Sequence, residues 1–194
     1  LTIKDIDAVL LTNMELFEGC YLVDMWAVDG SGAYLKSGMK LSTGGTSGTT
    51  ITAAAYHHIA AGLFDTVLAI GFEKQEEGDT TAALNTVADP LYGRSMAAGA
   101  IGAFALGALR LINDCGITGE HAARIRVKAA NNALKNPYAH LKLKITSEDV
   151  RKSPVLAYPM RLLDMCPTSN GACALVLASE EKAKKITNKP VWIR

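Results

Sequence analysis

Two strongly apolar runs, each flanked by polar residues, dominate the hydrophobic pattern of the chain. They cover Thr66–Phe72 and Ala172–Ala178, and both are short and uninterrupted. Such runs are typical of strands buried on both faces of a sheet. Ile6–Leu11 is a third run of the same character, and Met39–Ser42 is a brief one. We therefore predict strands at these four places.

The segments between the predicted strands carry helical or loop patterns. A helix rich in small residues is expected to follow Met39–Ser42 as far as Ala61, and another covers Met96–Cys115. Thr118–Asn136 opens with a hydroxyl and an early acid, a favourable helix start. Leu16–Gly38 is predicted to be a helix that ends in loose turns, and Glu73–Arg94 a loop with at most a short helix. Helices that alternate with buried strands predict an α/β layered fold.

Composition and charge exclude several function classes. Of the 194 residues, 49% are hydrophobic and 20% are charged, which is typical of a globular domain. The net charge is +1 without a basic stripe, which argues against nucleic-acid binding. The longest nearly apolar run, Met96–Leu109, has 14 residues, whereas a bilayer requires roughly 20. No membrane span is predicted, and no secretory signal opens the chain.

The four cysteines show no pairing pattern. Cys20, Cys115, Cys166 and Cys173 form no C-x-x-C unit, so we predict neither a zinc site nor a disulfide framework. A reducing, cytoplasmic location is expected. Cys166 and Cys173 are predicted to be small buried apolar residues.

Both ends of the chain interrupt a predicted element. The approach to a strand is already under way at Asp5, and Pro190–Ile193 is again strand-like. We expect the sequence to be a fragment of a longer protein.

The turn after Met39–Ser42 is the most informative local feature. It reads Thr43-Gly44-Gly45-Thr46-Ser47-Gly48. Two glycines permit a sharp strand-to-helix bend, and the helix that follows presents free N–H groups and a positive dipole end to an anion or a developing oxyanion. Nucleophile elbows have this geometry, and so do plain connections between a strand and a helix.

This turn and two later segments resemble the thiolase superfamily, most closely its sterol-carrier-protein-type and archaeal members. In that family a cysteine, two small residues and a glycine open a helix, and a Gly-x-x-Asp-x-Val-Leu strand ending in Gly-x-Glu-Lys follows. Residues 62–74 match this strand. Gly116–Pro137 and Pro159–Ala172 match two later family segments in the same order and spacing.

The resemblance implies a thiolase-like layered α-β-α-β-α sandwich, of which this chain supplies the N-terminal half. Residues 1–76 and 166–194 would form a core truncated at its start, and residues 77–165 an inserted loop region. The C-terminal half, with the family's histidine and second cysteine motifs, is absent from the sequence. Family subunits pair through the strand before the turn, which implies a homodimer joined at Met39–Ser42.

The same resemblance places Gly45 at the position of the nucleophilic cysteine. Glycine cannot attack a thioester, and ordinary thiolysis requires an acyl-cysteine. No cysteine lies between Cys20 and Cys115. Gly44, Thr46 and Ser47 are the elbow and oxyanion candidates. The resemblance also implies that Tyr92 and Arg94, in the loop region, contact the substrate.

Three functions are left open. The first is retro-aldol cleavage of a β-hydroxyacyl-CoA, the activity of cysteine-less relatives that work with a small OB-fold, zinc-ribbon partner protein. The second is acetyl-CoA acyltransfer in which a hydroxyl of Ser42, Thr43, Thr46 or Ser47 replaces the thiol. The third is a non-catalytic subunit. Coenzyme A would enter as part of the acyl-CoA substrate, with no tightly bound cofactor, and the acid–base residues are unassigned.

Overall fold

The computed structural model describes residues 1–96 and 98–193. They form two compact units, Leu1–Asp79 together with the residues from Ser169 onward, and Thr80–Thr168. Ala97, in the predicted helix Met96–Cys115, and Arg194, at the end of the predicted core, lie outside the described residues. That the two units are the core and the inserted region of a longer protein stays a prediction.

The described residues contain six strands and eight α-helices. The strands are β1 (Ala8–Thr12), β2 (Ser37–Lys40), β3 (Thr66–Lys74), β4 (Val155–Ala157), β5 (Met160–Arg161) and β6 (Asn170–Ala178). The helices are α1 (Val23–Trp26), α2 (Val28–Ser31), α3 (Ser47–Ala60), α4 (Thr80–Asn85), α5 (Gly99–Cys115), α6 (Gly119–Ala133), α7 (Ser147–Lys152) and α8 (Glu180–Ile186). Single 3-10 turns lie at Ile3–Asp5, Gly44–Thr46, Gln75–Glu77, Arg94–Met96 and Leu162–Asp164.

The first unit is built on a mixed sheet with the strand order β2-β1-β3-β6. β1 runs parallel to both β2 and β3, with Leu10 opposite Met39 on one side and Ala69 on the other. β6 runs antiparallel to β3 along the full length of both strands. The carboxyl ends of β1, β2 and β3 therefore meet at one edge of the sheet.

Both faces of β1 are buried, as the apolar run predicts. Leu10 belongs to a cluster with Ile51 and Ala55 of α3 and with Val67 of β3. Val9 lies in a second cluster on the opposite face. Successive side chains of a strand point to opposite faces, so a central strand covered on both sides needs an unbroken apolar sequence.

The second unit contains α4 to α7 and the β4–β5 hairpin. Thr118 caps α6, with its hydroxyl accepting a hydrogen bond from the His121 N–H, which confirms the predicted helix start. The Arg126 guanidinium of α6 donates to the Leu163 carbonyl oxygen at 2.7 Å. No helix among the described residues is long and apolar enough to cross a bilayer.

Several predicted boundaries were wrong. The strand predicted at Met39–Ser42 is displaced to β2, two residues earlier, and Glu73 belongs to β3 instead of the following loop. Leu16–Gly38 holds two single-turn helices, because Leu22 adopts a left-handed conformation before α1 and Gly32 adopts one after α2. These conformations interrupt a continuous helix.

The expected burial of the last strand and of its cysteine was also wrong. Seven of the nine residues of β6 are exposed, and Cys173 and Cys166 are exposed thiols. β6 ends the sheet and pairs with β3 alone among the described strands. Of its side chains, Leu177 packs against the core cluster of α3, while Leu175 and Val176 remain about half exposed, at 47% and 48%.

Candidate active site

The candidate site lies where the parallel strands of the first unit end. The turn Thr43–Thr46 follows β2, Asn13 follows β1, and Glu73 is the last residue but one of β3. In open sheets that contain parallel strands, ligands bind outside the carboxyl ends of those strands. The predicted elbow thus lies at the edge of the sheet where chemistry is expected.

The predicted bend is present at Gly44 and Gly45. Gly44 has a φ of +63°, a left-handed conformation that glycine adopts without the cost a side chain would impose. Gly44–Thr46 form a single 3-10 turn that continues directly into α3. This explains why the sequence needs a glycine at the first of the two positions.

The hydroxyl groups of the turn are tied to its own backbone. The Ser47 hydroxyl donates to the Gly44 carbonyl oxygen at 2.7 Å and accepts from the Thr43 N–H at 2.9 Å. The Thr46 hydroxyl donates to the Thr43 carbonyl oxygen at 3.0 Å. The Thr43 and Thr50 hydroxyl oxygens lie 2.9 Å apart. These groups hold the bend, and none of these bonds joins a hydroxyl to a histidine or carboxylate that could act as its base.

Gly45 is exposed and has open space around it. A Cβ atom built on Gly45 meets no other atom within 4 Å, and its φ lies outside the left-handed region. A side chain would fit at this position. The site therefore lacks a nucleophile because of the residue type, and the backbone here would tolerate a cysteine.

Helix α3 begins at this bend and extends for 14 residues. Its first N–H groups and its dipole place partial positive charge at the amino end. A thioester oxygen that gains negative charge would be stabilised there.

A network of polar side chains that the sequence analysis missed occupies the same edge of the sheet. The buried Asn13 donates through Nδ2 to the Phe72 carbonyl oxygen at 2.9 Å, to Glu18 Oε1 at 3.1 Å and to Glu73 Oε2 at 3.3 Å. Glu73 Oε1 accepts from the Met14 N–H at 2.7 Å. Asn13 and Glu73 meet because they lie at the ends of the neighbouring parallel strands β1 and β3, a pairing that the sequence pattern does not reveal.

Two carboxylates at this edge of the sheet, Glu73 and Glu15, have pKa values that are shifted in opposite directions. Burial raises the pKa of Glu73 above its ordinary value, and the negative charge of Glu18 adds to the effect. The hydrogen bond from Lys40 lowers the pKa of Glu15, whose Oε1 lies 2.5 Å from Lys40 Nζ and also accepts from the Val23 N–H. Lys40 is the last residue of β2, so this ion pair links the segment after β1 to the strand that leads into the bend.

The two predicted substrate-binding residues lie in the second unit. Tyr92 is exposed, with 79% of its surface accessible. Arg94 donates through Nη2 to the Thr86 carbonyl oxygen at 2.7 Å and through Nε to that of Ala88 at 3.2 Å. Arg94 therefore fastens its own loop, and a contact with substrate stays a prediction for both residues. Within the described part of the chain, no group of three or more His, Cys, Asp or Glu side chains could hold a metal ion.

Sequence similarity to known proteins assigns the chain to a family. It is 32% identical to an acetyl-CoA acetyltransferase of Methanocaldococcus jannaschii over 96% of its own length. It is 34% identical to the benzoylsuccinyl-CoA thiolase subunit BbsB of Thauera aromatica over 72% of its length, and 32% identical to sterol carrier protein 2 of Bos taurus over 75%. The chain belongs to the thiolase superfamily.

Solved structures confirm the predicted thiolase-like α/β fold. An Ltp2-ChsH2(DUF35) aldolase superposes with a TM-score of 0.71 over 95% of the chain, at 22% identity. The thiolase-superfamily chain covers 47% of that structure and 48% of the M. jannaschii relative. It therefore spans about half the length of these proteins. No protein-family model matches it.

The structure brings together part of the set predicted for this thiolase-superfamily chain. Gly44, Gly45, Thr46 and Ser47 form one bend, as the glycine pattern indicated. Glu15, Glu18 and Glu73 join them at the same edge of the sheet without having been predicted. That Gly45 occupies the position of the family's nucleophile, and that the bend forms an oxyanion site, stay predictions.

Proposed function

We propose that the protein acts on acyl-CoA thioesters and cleaves the carbon–carbon bond of a β-hydroxyacyl-CoA by retro-aldol chemistry. The observation that carries this proposal is a well-formed bend and helix start with glycine, Gly45, at the position that the resemblance assigns to the family's thiol. The bend retains the helix N–H groups and dipole that would polarise a thioester oxygen. It lacks the thiol that would form an acyl-enzyme.

The nearest thiol along the chain does not change this picture. Cys20 lies in the segment that follows β1, and its Sγ is directed to the carbonyl oxygen of Tyr21, its own neighbour, at 3.9 Å. The next cysteine, Cys115, belongs to the second unit. The turn at Gly45 therefore contains no thiol of its own for cysteine-dependent thiolysis, since no cysteine lies between Cys20 and Cys115.

The retro-aldol step needs no covalent intermediate. A base removes the proton of the β-hydroxyl group, the Cα–Cβ bond breaks, and its electron pair passes into the thioester as an enolate. The β-carbon leaves as a ketone or aldehyde, and a proton added at Cα gives the shorter acyl-CoA. The amino end of α3 would stabilise the enolate oxygen, and the acid–base groups are expected in the half of the relatives that this chain does not span.

Acetyl-CoA acyltransfer is the second candidate, because the M. jannaschii relative bears that name. It would require an oxygen nucleophile in the turn. Against it, the Thr46 and Ser47 hydroxyls both donate to backbone carbonyl oxygens, and an alcohol needs a base beside it to attack a thioester. The geometry supports retro-aldol cleavage better.

The assembly is part of the proposal. The name of the Ltp2-ChsH2(DUF35) aldolase joins two components. We infer that this protein, too, works with a second component, which would be a small OB-fold, zinc-ribbon partner. We further propose a homodimer in which β2, an edge strand of the sheet, pairs with its copy across a two-fold axis. Unpaired edge groups favour such pairing.

Two substrates separate the candidates. The full-length protein, with its partner, is incubated with a β-hydroxyacyl-CoA, and separately with a β-ketoacyl-CoA plus CoA. Release of a ketone or aldehyde from the first and no thiolysis of the second is the expected result. Thiolysis by the natural sequence would contradict the proposal, and a non-catalytic subunit would leave both substrates intact.

Two variants sharpen this experiment. Gly45→Cys should introduce an alkylatable thiol at the amino end of α3 and weaken retro-aldol cleavage, since the new side chain enters the space of the substrate. Cys20→Ser is the matched control and should leave the cleavage unchanged. If Cys20→Ser abolished any carbon–carbon bond chemistry, Cys20 would be the nucleophile and the proposal would be wrong.

A further inference from the structure

The net charge of +1 conceals an uneven distribution of charge between the two units. The unit Thr80–Thr168 contains eleven Lys and Arg against six Asp and Glu, a net charge of +5. The other unit contains nine against thirteen, a net charge of −4. Residues 116–152 hold the whole positive excess, with eight basic and three acidic side chains. The second unit therefore has one strongly basic segment, and α6 is its longest element.

Three of these basic side chains form a stripe along α6. Arg124, Lys128 and Lys135, which lies just past the end of the helix, are spaced by four and seven residues. At 3.6 residues per turn this spacing places them on one side. All three are exposed, and the buried Ala123 and Ala130 lie on the other side. The expectation of no basic stripe was therefore wrong for this helix, because residues that are separated in the sequence meet once the helix forms.

The acidic side chains of the segment do not neutralise the stripe. Glu120 is paired with Arg151, and Glu148 is paired with Lys152. The third acid, Asp149, accepts two hydrogen bonds from a neighbouring threonine. Within the part of the chain that the structure describes, the side chains of the stripe have neither an ion pair nor a hydrogen bond. Three uncompensated positive charges on one helix face attract an anionic partner.

An apolar side chain lies beside the stripe. Ile125 is 70% exposed, and it precedes Lys128 by three residues, so the two are neighbours on the helix surface. An exposed apolar side chain bordered by charges resembles the interface of a protein complex, in which an apolar centre is surrounded by a polar rim. The charges and Ile125 together therefore favour a protein as the partner.

Two other anionic partners fit this face less well. Nucleic-acid bases stack on aromatic rings, and the stripe contains no Phe, Tyr or Trp. A helix that lies in a membrane interface needs a broad apolar face. Within α6, which the structure describes in full, Ile125 is the one large apolar side chain that is exposed.

We propose that the stripe and Ile125 form a docking surface for an acidic segment of a partner protein. Carboxylates of that segment pair with Arg124, Lys128 and Lys135, and one of its apolar side chains packs on Ile125. Complementary charge speeds the encounter and fixes the register, and the apolar contact adds affinity. The surface does not rest on the proposed retro-aldol chemistry, because it requires no acyl-CoA.

Binding of a defined acidic peptide to the full-length protein tests the surface. The probe is a fluorescently labelled peptide of glutamate with leucine at every fourth position, and binding is followed by fluorescence anisotropy. We expect saturable binding that weakens as salt is raised from about 0.1 M to 1 M, because the Debye length falls from about 10 Å to 3 Å. Lys128→Glu should weaken binding by about tenfold or more, since it opposes like charges. Ile125→Ser should weaken binding of this peptide and leave binding of an all-glutamate peptide unchanged.

Arg110→Glu is the matched control, because Arg110 is an exposed cation of the same unit whose charge Asp114 already neutralises. It changes the net charge by the same amount as Lys128→Glu and should leave binding unchanged. Circular dichroism should show that both variants are folded, as expected for exposed positions.

Three results would overturn the docking surface. The first is no binding of the peptide by the natural sequence, and the second is an equal loss in Lys128→Glu and Arg110→Glu. The third is tighter binding of duplex DNA or of phosphatidylserine vesicles than of the peptide, which would assign the stripe to a nucleic acid or a membrane. None of these measurements involves a substrate, so the docking surface can fail while the proposed function stands, and the reverse also holds.

Discussion

The Ser47 hydroxyl donates a hydrogen bond to the Gly44 carbonyl oxygen, across the bend that starts α3. Its oxygen also accepts from the Thr43 N–H, so one side chain braces both sides of the turn. Ser47 is 8% exposed, and water cannot readily replace these bonds. The bend is thus maintained by a side chain whose hydroxyl is committed to structure.

Ser47→Ala should destabilise the protein by about 1–2 kcal/mol, because it leaves the Thr43 N–H and the Gly44 carbonyl oxygen without their partner. Chemical denaturation measures the change. Thr49→Ala, at an exposed position two residues farther along α3, is the control and should alter the free energy of unfolding far less. Equal losses in the two variants would mean that Ser47 does not brace the bend.

Alanine substitutions at the two glycines should have opposite effects. Gly44 requires a left-handed backbone, so Gly44→Ala is expected to cost about 1 kcal/mol or more. Gly45 has an ordinary φ and free space, so Gly45→Ala should be neutral or stabilising by about 0.5 kcal/mol through the unfolded state. Thermal and chemical unfolding of the two variants provides the comparison, and a larger loss at Gly45 would contradict the described turn.

Removal of the ion pair between Lys40 and Glu15 should have an effect that depends on pH. The folded pKa of Glu15 is lowered from 4.5, so the pair stabilises the protein above that value and ceases to do so as pH falls through the folded pKa. Lys40→Met should therefore cost about 1 kcal/mol at pH 7, after allowance for solvent screening, and less at acid pH.

Unfolding of Lys40→Met is followed by circular dichroism across this pH range. Lys185→Met removes a fully solvated pair with Glu181 and is the control, for which no measurable change is expected. A loss at Lys40→Met that stayed constant down to strongly acid pH would show that packing, and not charge, is responsible.

The proposed dimer predicts that a charge on β2 will separate the subunits. Met39 is 47% exposed on this edge strand, and Met39→Asp would place carboxylates from both copies near the two-fold axis. Light scattering after gel filtration should show a dimer for the natural full-length protein and a monomer for Met39→Asp. Leu63→Asp, at an exposed position after α3, should remain dimeric, and a monomeric natural protein would refute the contact.

Local chemistry made much of this fold predictable. The unbroken apolar sequences of β1 and β3 predict burial on both faces, the Thr118 hydroxyl predicts a helix start, and the paired glycines predict the bend. The pairing of strands that are distant in the sequence was harder to predict. The shift of β2 to Ser37–Lys40 is set by its register against β1, and a short, exposed strand has no pattern that fixes this register.

The polar network was missed for a related reason. Asn13 and Glu73 are 60 residues apart, and each, taken alone, reads as a surface residue at the end of a strand. Their meeting follows from the parallel pairing of β1 with β3, which the sequence pattern does not reveal. The exposure of Cys173 escaped prediction because the composition of β6 is that of an interior strand, although it lies at the end of the sheet.

The exposed β6 also affects how the chain behaves in concentrated solution. Nine residues without proline or charge, with aliphatic side chains half accessible, present a free backbone edge. Such an edge is a template on which further molecules can add strand by strand. A preparation of these 194 residues alone should therefore grow into oligomers as protein concentration rises. Aspartate at Leu175 or Val176 would act as a gatekeeper that delays this growth.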